Sequence, residues 1–242
     1  MNPLAVDALD AAYRTQRLQA LTFAWVAGYV DAHALLRFNV YASFMSGNTT
    51  RAGVEAVAGH PWGAALNLLA VLMFVLGAFL GAALFYARKP TSGVTPVVVA
   101  LTLLILDSIA GMVGLAGWLS VALLSTAMGS LNSAITRVGR QPINIGYVSG
   151  GLYKLAEHLA LAYRRLPVEN PEGPTDTHLR RAGLLIAIWT LFLCGGFSGA
   201  MVERYAAHLG IGLAAVALAA VMVVHVGRSL GSNEPSPDSS PQ

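Results

Sequence analysis

GAALNLLAVLMFVLGAFLGAALFY, residues Gly63–Tyr86, holds one strongly polar side chain, Asn67, in 24 residues. At 1.5 Å per residue a helix of that length covers about 36 Å, more than the roughly 30 Å of bilayer hydrocarbon. Such a stretch has no place on a water-soluble surface. Similar runs lie on either side of it. Leu18–Leu36 is interrupted only by Asp31 and His33, and Val94–Ile135 is long enough for two helices parted by Gly114-Leu115-Ala116-Gly117. Gly183–Val202 and Leu209–Gly227 bring the expected spans to six. The fold class expected is therefore an all-α polytopic membrane protein.

Composition agrees. The chain of 242 residues is 55% hydrophobic and 11% charged, with mean hydropathy +0.60, against about 25% charged residues in soluble domains. Fifteen Lys and Arg against 12 Asp and Glu are too few for a nucleic-acid face. One cysteine, Cys194, permits neither an internal disulfide nor a thiolate metal cluster, and its apolar setting suggests a small buried hydrophobe.

Two segments are too polar to face lipid along their whole length. Val40–Gly59 carries Asn48, Thr49, Thr50, Arg51 and Glu55, and Ile143–Arg164 carries Lys154, Glu157 and His158. Each could be a re-entrant half-helix, a span lining a polar cavity, or an amphipathic interfacial helix. Charge placement favours segments that return to their own side over full crossings. With an inside N-terminus and both segments returning to their own side, Arg14, Arg17, Arg88, Lys89, Arg137, Arg140, Lys154, Arg164, Arg165, Arg180, Arg181 and Arg228 are cytoplasmic. Only Arg37, Arg51 and Arg204 fall outside, a split of 12 to 3, and a cytoplasmic excess of Lys and Arg sets orientation. Localisation in a bacterial inner membrane, with both termini cytoplasmic, is expected. No cleaved leader is expected, because a cleavage site near Ala32–Ala34 would remove the chain's most distinctive motif.

The halves echo one another. Gly28-Tyr29-Val30-Asp31 precedes Ser46-Gly47-Asn48-Thr49-Thr50-Arg51 and then GAFLGAA, Gly77–Ala83. Gly129-Ser130-Leu131-Asn132 precedes Ser149-Gly150-Gly151-Leu152-Tyr153-Lys154 and then GGFSGAM, Gly195–Met201. With three crossings in each unit, the copies would be inverted repeats, an arrangement that commonly places substrate at broken helices near mid-membrane. The expected organisation is an N-terminal arm at 1–17, membrane repeats at 18–117 and 118–228, a polar loop at 167–177 in the second, and a disordered tail at 229–242.

AGYVDAHALLRFNVYASFMSGNTTRAG (Ala27–Gly53), together with AMGSLNSAITRVGRQPINIGYVSGGLYKLAEHLA (Ala127–Ala160), resembles the YoaK-like family of bacterial inner-membrane proteins, a domain of unknown function. The likeness covers most of residues 18–228. It implies a helical membrane fold and supplies no substrate or catalytic residue.

The polar residues then suggest a site. Asp31, toward the end of an apolar helix, must be paired, hydrated or protonated, either handling a cation or proton or pairing with Arg37 or Arg51. Asn132 is its uncharged counterpart. Ser46, Gly47, Asn48 and Thr49 could open a half-helix whose N–H groups favour an anion, with Arg51 in support, or Arg51 could simply pair with Glu55. Ser149, Gly150 and Lys154 repeat the pattern, and Asp107 either lines the path or bonds a neighbouring helix. His33 and His158 are expected to be structural histidines rather than proton carriers. Gly77/Gly81 and Gly195/Gly199 would allow close packing, inside the chain or between copies in a homo-oligomer.

HExxH, GxSxG, Walker A and Rossmann patterns are missing from the sequence, so no catalysis, cofactor or metal is expected. A transporter or channel for a small polar or anionic solute, coupled to a proton through Asp31, is the expected function. The competing expectation is an assembly partner or sensor packing through its glycine faces. The partners expected are the lipid bilayer and a small molecule or ion.

Overall fold

The computed structural model describes residues 3–87, 94–115, 117–173 and 175–231. Eight α-helices lie among them: α1 (Pro3–Phe38), α2 (Met45–Val57), α3 (Pro61–Ala87), α4 (Val94–Met112), α5 (Gly117–Ala134), α6 (Val148–Tyr163), α7 (His178–Tyr205) and α8 (Gly212–Gly231). A two-stranded antiparallel hairpin, β1 (Arg137–Val138) and β2 (Gln141–Pro142), leads into α6. The fold is all-α, as expected. Arg88 and Lys89, which enter the charge split, and residues 232–242 of the expected tail lie outside the described residues.

Three helical stretches, Pro61–Tyr86, Val94–Met112 and His178–Tyr205, are long and apolar enough to cross a membrane, and Gly212–Val223 is a shorter apolar stretch. Only 17% of the most apolar window of α3, and of α7, is buried within the chain. Phe79 and Phe197 are 67% and 69% exposed. Side chains of this kind need lipid around them, so the protein is membrane-embedded. Cys194 is exposed on α7, which corrects the expectation of burial.

α1 and α5 form the centre. Phe23, Val26, Tyr29 and Val30 from α1 pack with Leu124, Met128 and Leu131 from α5, and Leu104 of α4 and Leu218 of α8 join them. α1 and α5 run antiparallel, since Phe38 at the end of α1 lies against Gly117 at the start of α5. At the other end the Gly139 N–H, just beyond α5, donates to Gln16 Oε1 at 2.8 Å. The expected N-terminal arm is not separate from the span. It is the first part of one 36-residue helix, tied down by this hydrogen bond and by Arg180 stacking 4.3 Å over the Tyr13 ring.

Each central helix has a parallel partner. Trp25, Tyr29 and Arg37 of α1 meet Gly195, Gly199 and Glu203 of α7 in rising order, and Thr126 and Ser130 of α5 meet Gly77 and Gly81 of α3. At Gly28 an added Cβ would fall on the Phe192 carbonyl, and at Gly129 on the Phe74 carbonyl. Backbones this close admit only glycine. Gly77, Gly81, Gly195 and Gly199 thus pack inside the chain, one of the two roles expected of them.

α2 and α6 are short, 13 and 16 residues, or about 20 and 24 Å, less than the hydrocarbon thickness. Each ends in the same C-cap. His60 N–H bonds Glu55 O at 2.9 Å after Gly59 at φ +78°, and Leu166 N–H bonds Leu161 O at 3.1 Å after Arg165 at φ +53°.

Candidate functional site

The site begins where α1 stops. Asn39, at φ +58°, turns the chain back beside its own helix, and the loop descends into the bundle rather than away from it. Two side-chain clamps hold it there. The Ser43 backbone N–H donates to Asp31 Oδ1 at 2.6 Å and the Ser43 hydroxyl donates to Asp31 Oδ2 at 2.7 Å. The Tyr41 N–H donates to Asn48 Oδ1 at 2.9 Å, and Asn48 Nδ2 donates to the Tyr41 carbonyl at 2.6 Å. Asp31 and Ser43 are each 5% exposed, and Asn48 is fully buried.

Neither expected cation reaches Asp31. Arg37 bonds Glu203 with its Nε at 2.5 Å, and Glu203 also meets His33 Nδ1 at 2.9 Å. Arg51 lies 3.9 Å from Glu55, and its Nε is buried without a hydrogen-bond partner. The carboxylate of Asp31 is held instead by the loop it helped to place, a partner twelve residues along the chain.

In the second half the chain leaves α5 at Ala134, makes the hairpin, and enters α6 through Ile143–Tyr147. Gly146 of this loop faces Ser43, whose carbonyl oxygen lies 3.2 Å from where a Gly146 Cβ would stand. The two entry loops therefore meet, and α2 and α6 both start from that meeting point. Their starts share a geometry: Phe44 and Tyr147 precede them with φ −94°, ψ 76° and φ −107°, ψ 67°. Gly47 and Gly150 leave room for those two rings.

A cavity of about 10 Å³ sits at the junction, lined by Ala27, Ser43, Phe74, Asn132, Ile145 and Gly146 among others, room for one water molecule. Asn132 Oδ1 is buried there with no hydrogen-bond partner. A second cavity, of about 390 Å³, runs between the 142–154 segment and α7 and is lined by Ser149, Gly150, Lys154, Trp189 and Phe192. Pro142 and Lys154 also line a third, of about 570 Å³, with Glu157, His158, Glu169, His178 and Arg181.

The expected site residues thus divide. Asp31 and Asn132 come together near the junction. Ser149, Gly150 and Lys154 line the α6 cavity, with Lys154 bonded to Glu157 at 2.6 Å. Asn48 and Thr49 do not cap α2, which has no side-chain cap. Asn48 clamps the loop, the Thr49 hydroxyl bonds Met45 O at 2.9 Å, and the Ser46 carbonyl accepts from Thr50 at 3.1 Å. Asp107, 4% exposed on α4, is hydrogen-bonded by Ser120 of α5 and lines none of these cavities. Sequence reasoning missed Ser43, Gly146 and Glu203. Aligning the two Ser-Gly pairs would have placed Ser43 and Gly146 opposite one another, three residues before each pair.

Fold and site together define an all-α membrane protein whose two short helices start from one buried junction. The chain belongs to the family described as protein of unknown function (DUF1275), whose model matches residues 19–224. No curated protein and no solved structure matches it.

Proposed function

We propose that this protein is an inverted-repeat transporter or channel-like protein for a small polar or anionic solute. The observation that carries this reading is the junction itself, where both entry loops reach the buried centre beside Asp31 and Asn132. Irregular backbone at membrane depth is tolerated only where protein buries it or where it lines a water-filled path. A sealed packing module has no need for two such breaks at the same point.

The finer parts of the reading follow the same geometry. Matching contacts at Gly28 and Gly129, Gly77 and Gly195, and Gly81 and Gly199 support two copies of one unit. Antiparallel α1 and α5 support opposite orientations for the copies, hence six crossings with both termini on the cytoplasmic side of a bacterial inner membrane. The central cavity then corresponds to an occluded state. The solute approaches through the α6 cavity, past Lys154 and the uncapped first turn of α6, whose N–H groups suit a negatively charged group. Asp31 and Asn132 flank the passage, and Asp31 carries the coupled proton when Ser43 moves away from it.

Flux tests this. Purified protein in liposomes, offered ions, amino acids and organic acids under an imposed proton gradient, should accumulate a solute. Asp31→Asn should uncouple that uptake from the gradient. A second readout uses cysteines at the exposed Thr50 and Ser149 in a Cys194→Ser background. Labelling of Thr50→Cys from outside and Ser149→Cys from inside by impermeant reagents is expected. Protection of both from permeant and impermeant reagents alike, with no flux from folded protein, would favour the assembly or sensor role.

A further inference from the structure

His158 of α6 and His178, the first residue of α7, face each other with their Nδ1 atoms 3.0 Å apart and ring centroids 5.2 Å apart. His178 Nε2 lies 3.3 Å from the Pro167 carbonyl oxygen. A carbonyl only accepts, so His178 carries its hydrogen on Nε2 and presents a bare Nδ1. The hydrogen between the rings then belongs to His158 Nδ1, and His158 Nε2 remains as a free base. This tautomer assignment follows from the hydrogen-bond network.

The protonation sequence is fixed by that arrangement. A first added proton goes to His158 Nε2, and the resulting imidazolium still donates through Nδ1, in a stronger, charge-assisted bond. A second can go only to His178 Nδ1, where it removes the acceptor and sets two cations face to face. The surrounding charges do little to relieve this. On α6, Lys154 and Glu157 hold each other at 2.6 Å. On α7, Arg181 is held at 2.8 Å by Asp176 of the connecting segment. Glu169, from the same segment, lines the 570 Å³ cavity beside the pair. α6 has no buried residue and leans on α7, and this contact is one of those that join the two helices.

We infer that His158 and His178 form a proton-binding latch that holds α6 against α7 with up to one added proton and releases it with two. The ligand is the proton, and the latch sits in the wall of the 570 Å³ cavity, which shares Pro142 and Lys154 with the α6 cavity of the proposed solute path. It does not depend on transport, because its geometry holds whatever the cavity admits.

The test uses full-length protein in liposomes, Cys194→Ser, with spin labels at Trp62→Cys and Tyr163→Cys, which are 64% and 86% exposed. The distance distribution is expected to shift between about pH 8 and about pH 5, the range in which histidine titrates. His178→Gln keeps an acceptor that cannot take the second proton, so its distribution should stay fixed. A wild-type distribution that does not move, or a variant that moves as wild type does, overturns the latch. Should His178→Gln fail to fold, ¹⁵N-histidine titration of the wild type decides instead. Two steps separated by more than about one pH unit are expected of a coupled pair, and coincident steps overturn the proposal. Absence of flux leaves this outcome untouched, so the two failures are distinguishable.

Discussion

The α1–α2 region and the α5–α6 region share a frame and differ in what fills it. Both central helices press a glycine onto a neighbour's backbone, Gly28 on Phe192 and Gly129 on Phe74. Both lead into a loop that turns inward and a short helix that starts at the junction. In the first, Asp31 is saturated by Ser43, and Asn48 locks the loop through Tyr41. In the second, Asn132 stands for Asp31, Gly146 for Ser43 and Gly151 for Asn48, so both clamps are missing. The consequences are visible: Asn132 Oδ1 has no partner, and a 390 Å³ cavity runs along α6. The frame is set by small residues at crossing points, whereas openness is set by a few polar clamps. The α2 side is built as the closed side and the α6 side as the open one.

Breaking the frame should have the largest effect. Gly129→Leu pushes a side chain into the Phe74 carbonyl, and neither backbone can retreat without losing its packing. A loss of about 3 kcal/mol or more is expected, read as collapse of the monodisperse peak in size-exclusion chromatography. Gly28→Leu should do the same. If either variant purified normally, the equivalence of the two crossings would fail.

Removing a clamp should convert the closed side toward the open one. Asn48→Ala leaves the Tyr41 N–H and carbonyl without their partner inside the protein, a cost of about 1–3 kcal/mol for each buried group left unsatisfied. Thermal denaturation should show the loss, and Thr50→Cys should label faster. Ser43→Ala should cost less, because the Ser43 backbone N–H still reaches Asp31. Gly151→Asn should leave stability unchanged if the 143–147 loop cannot adopt the clamped shape.

Adding the missing group tests the comparison from the other side. Gly146→Ser offers a hydroxyl near the unpartnered Asn132 Oδ1, and a gain of about 1 kcal/mol is expected if the bond forms, seen as a higher unfolding temperature. The smallest effect belongs to the helix ends. Arg165 sits in the left-handed region where α2 uses Gly59, so Arg165→Gly should stabilise the end of α6 by about 1 kcal/mol or less. Hydrogen exchange at Ala162–Leu166 would register it.

Much of this was legible without coordinates, and for a definable reason. Hydropathy is a local property, so residues 63–86 declare their surroundings whatever they pack against, and Gly114–Gly117 declares a break because no apolar helix continues through it. The order of the Gly-x-x-Asp/Asn, Ser-Gly and Gly-x-x-x-Gly motifs likewise survives as a pattern along the chain. The partners of the polar residues did not. Asp31 was open to pairing with Arg37 or Arg51, both close in sequence, but Arg37 found Glu203 on a helix over 160 residues away. The Thr49 hydroxyl, a candidate cap, folded back on its own helix.

The amino-acid sequence by itself determined an all-helical protein in a membrane, with two polar segments too charged for lipid, because the solvent of an apolar run follows from its composition. Tertiary structure alone decided that those segments start from one buried junction, that Ser43 rather than an arginine holds Asp31, and that the glycine faces close on this chain. Each of those outcomes depends on which distant backbone comes within hydrogen-bonding or van der Waals reach, and that distance is a property of the packed helices.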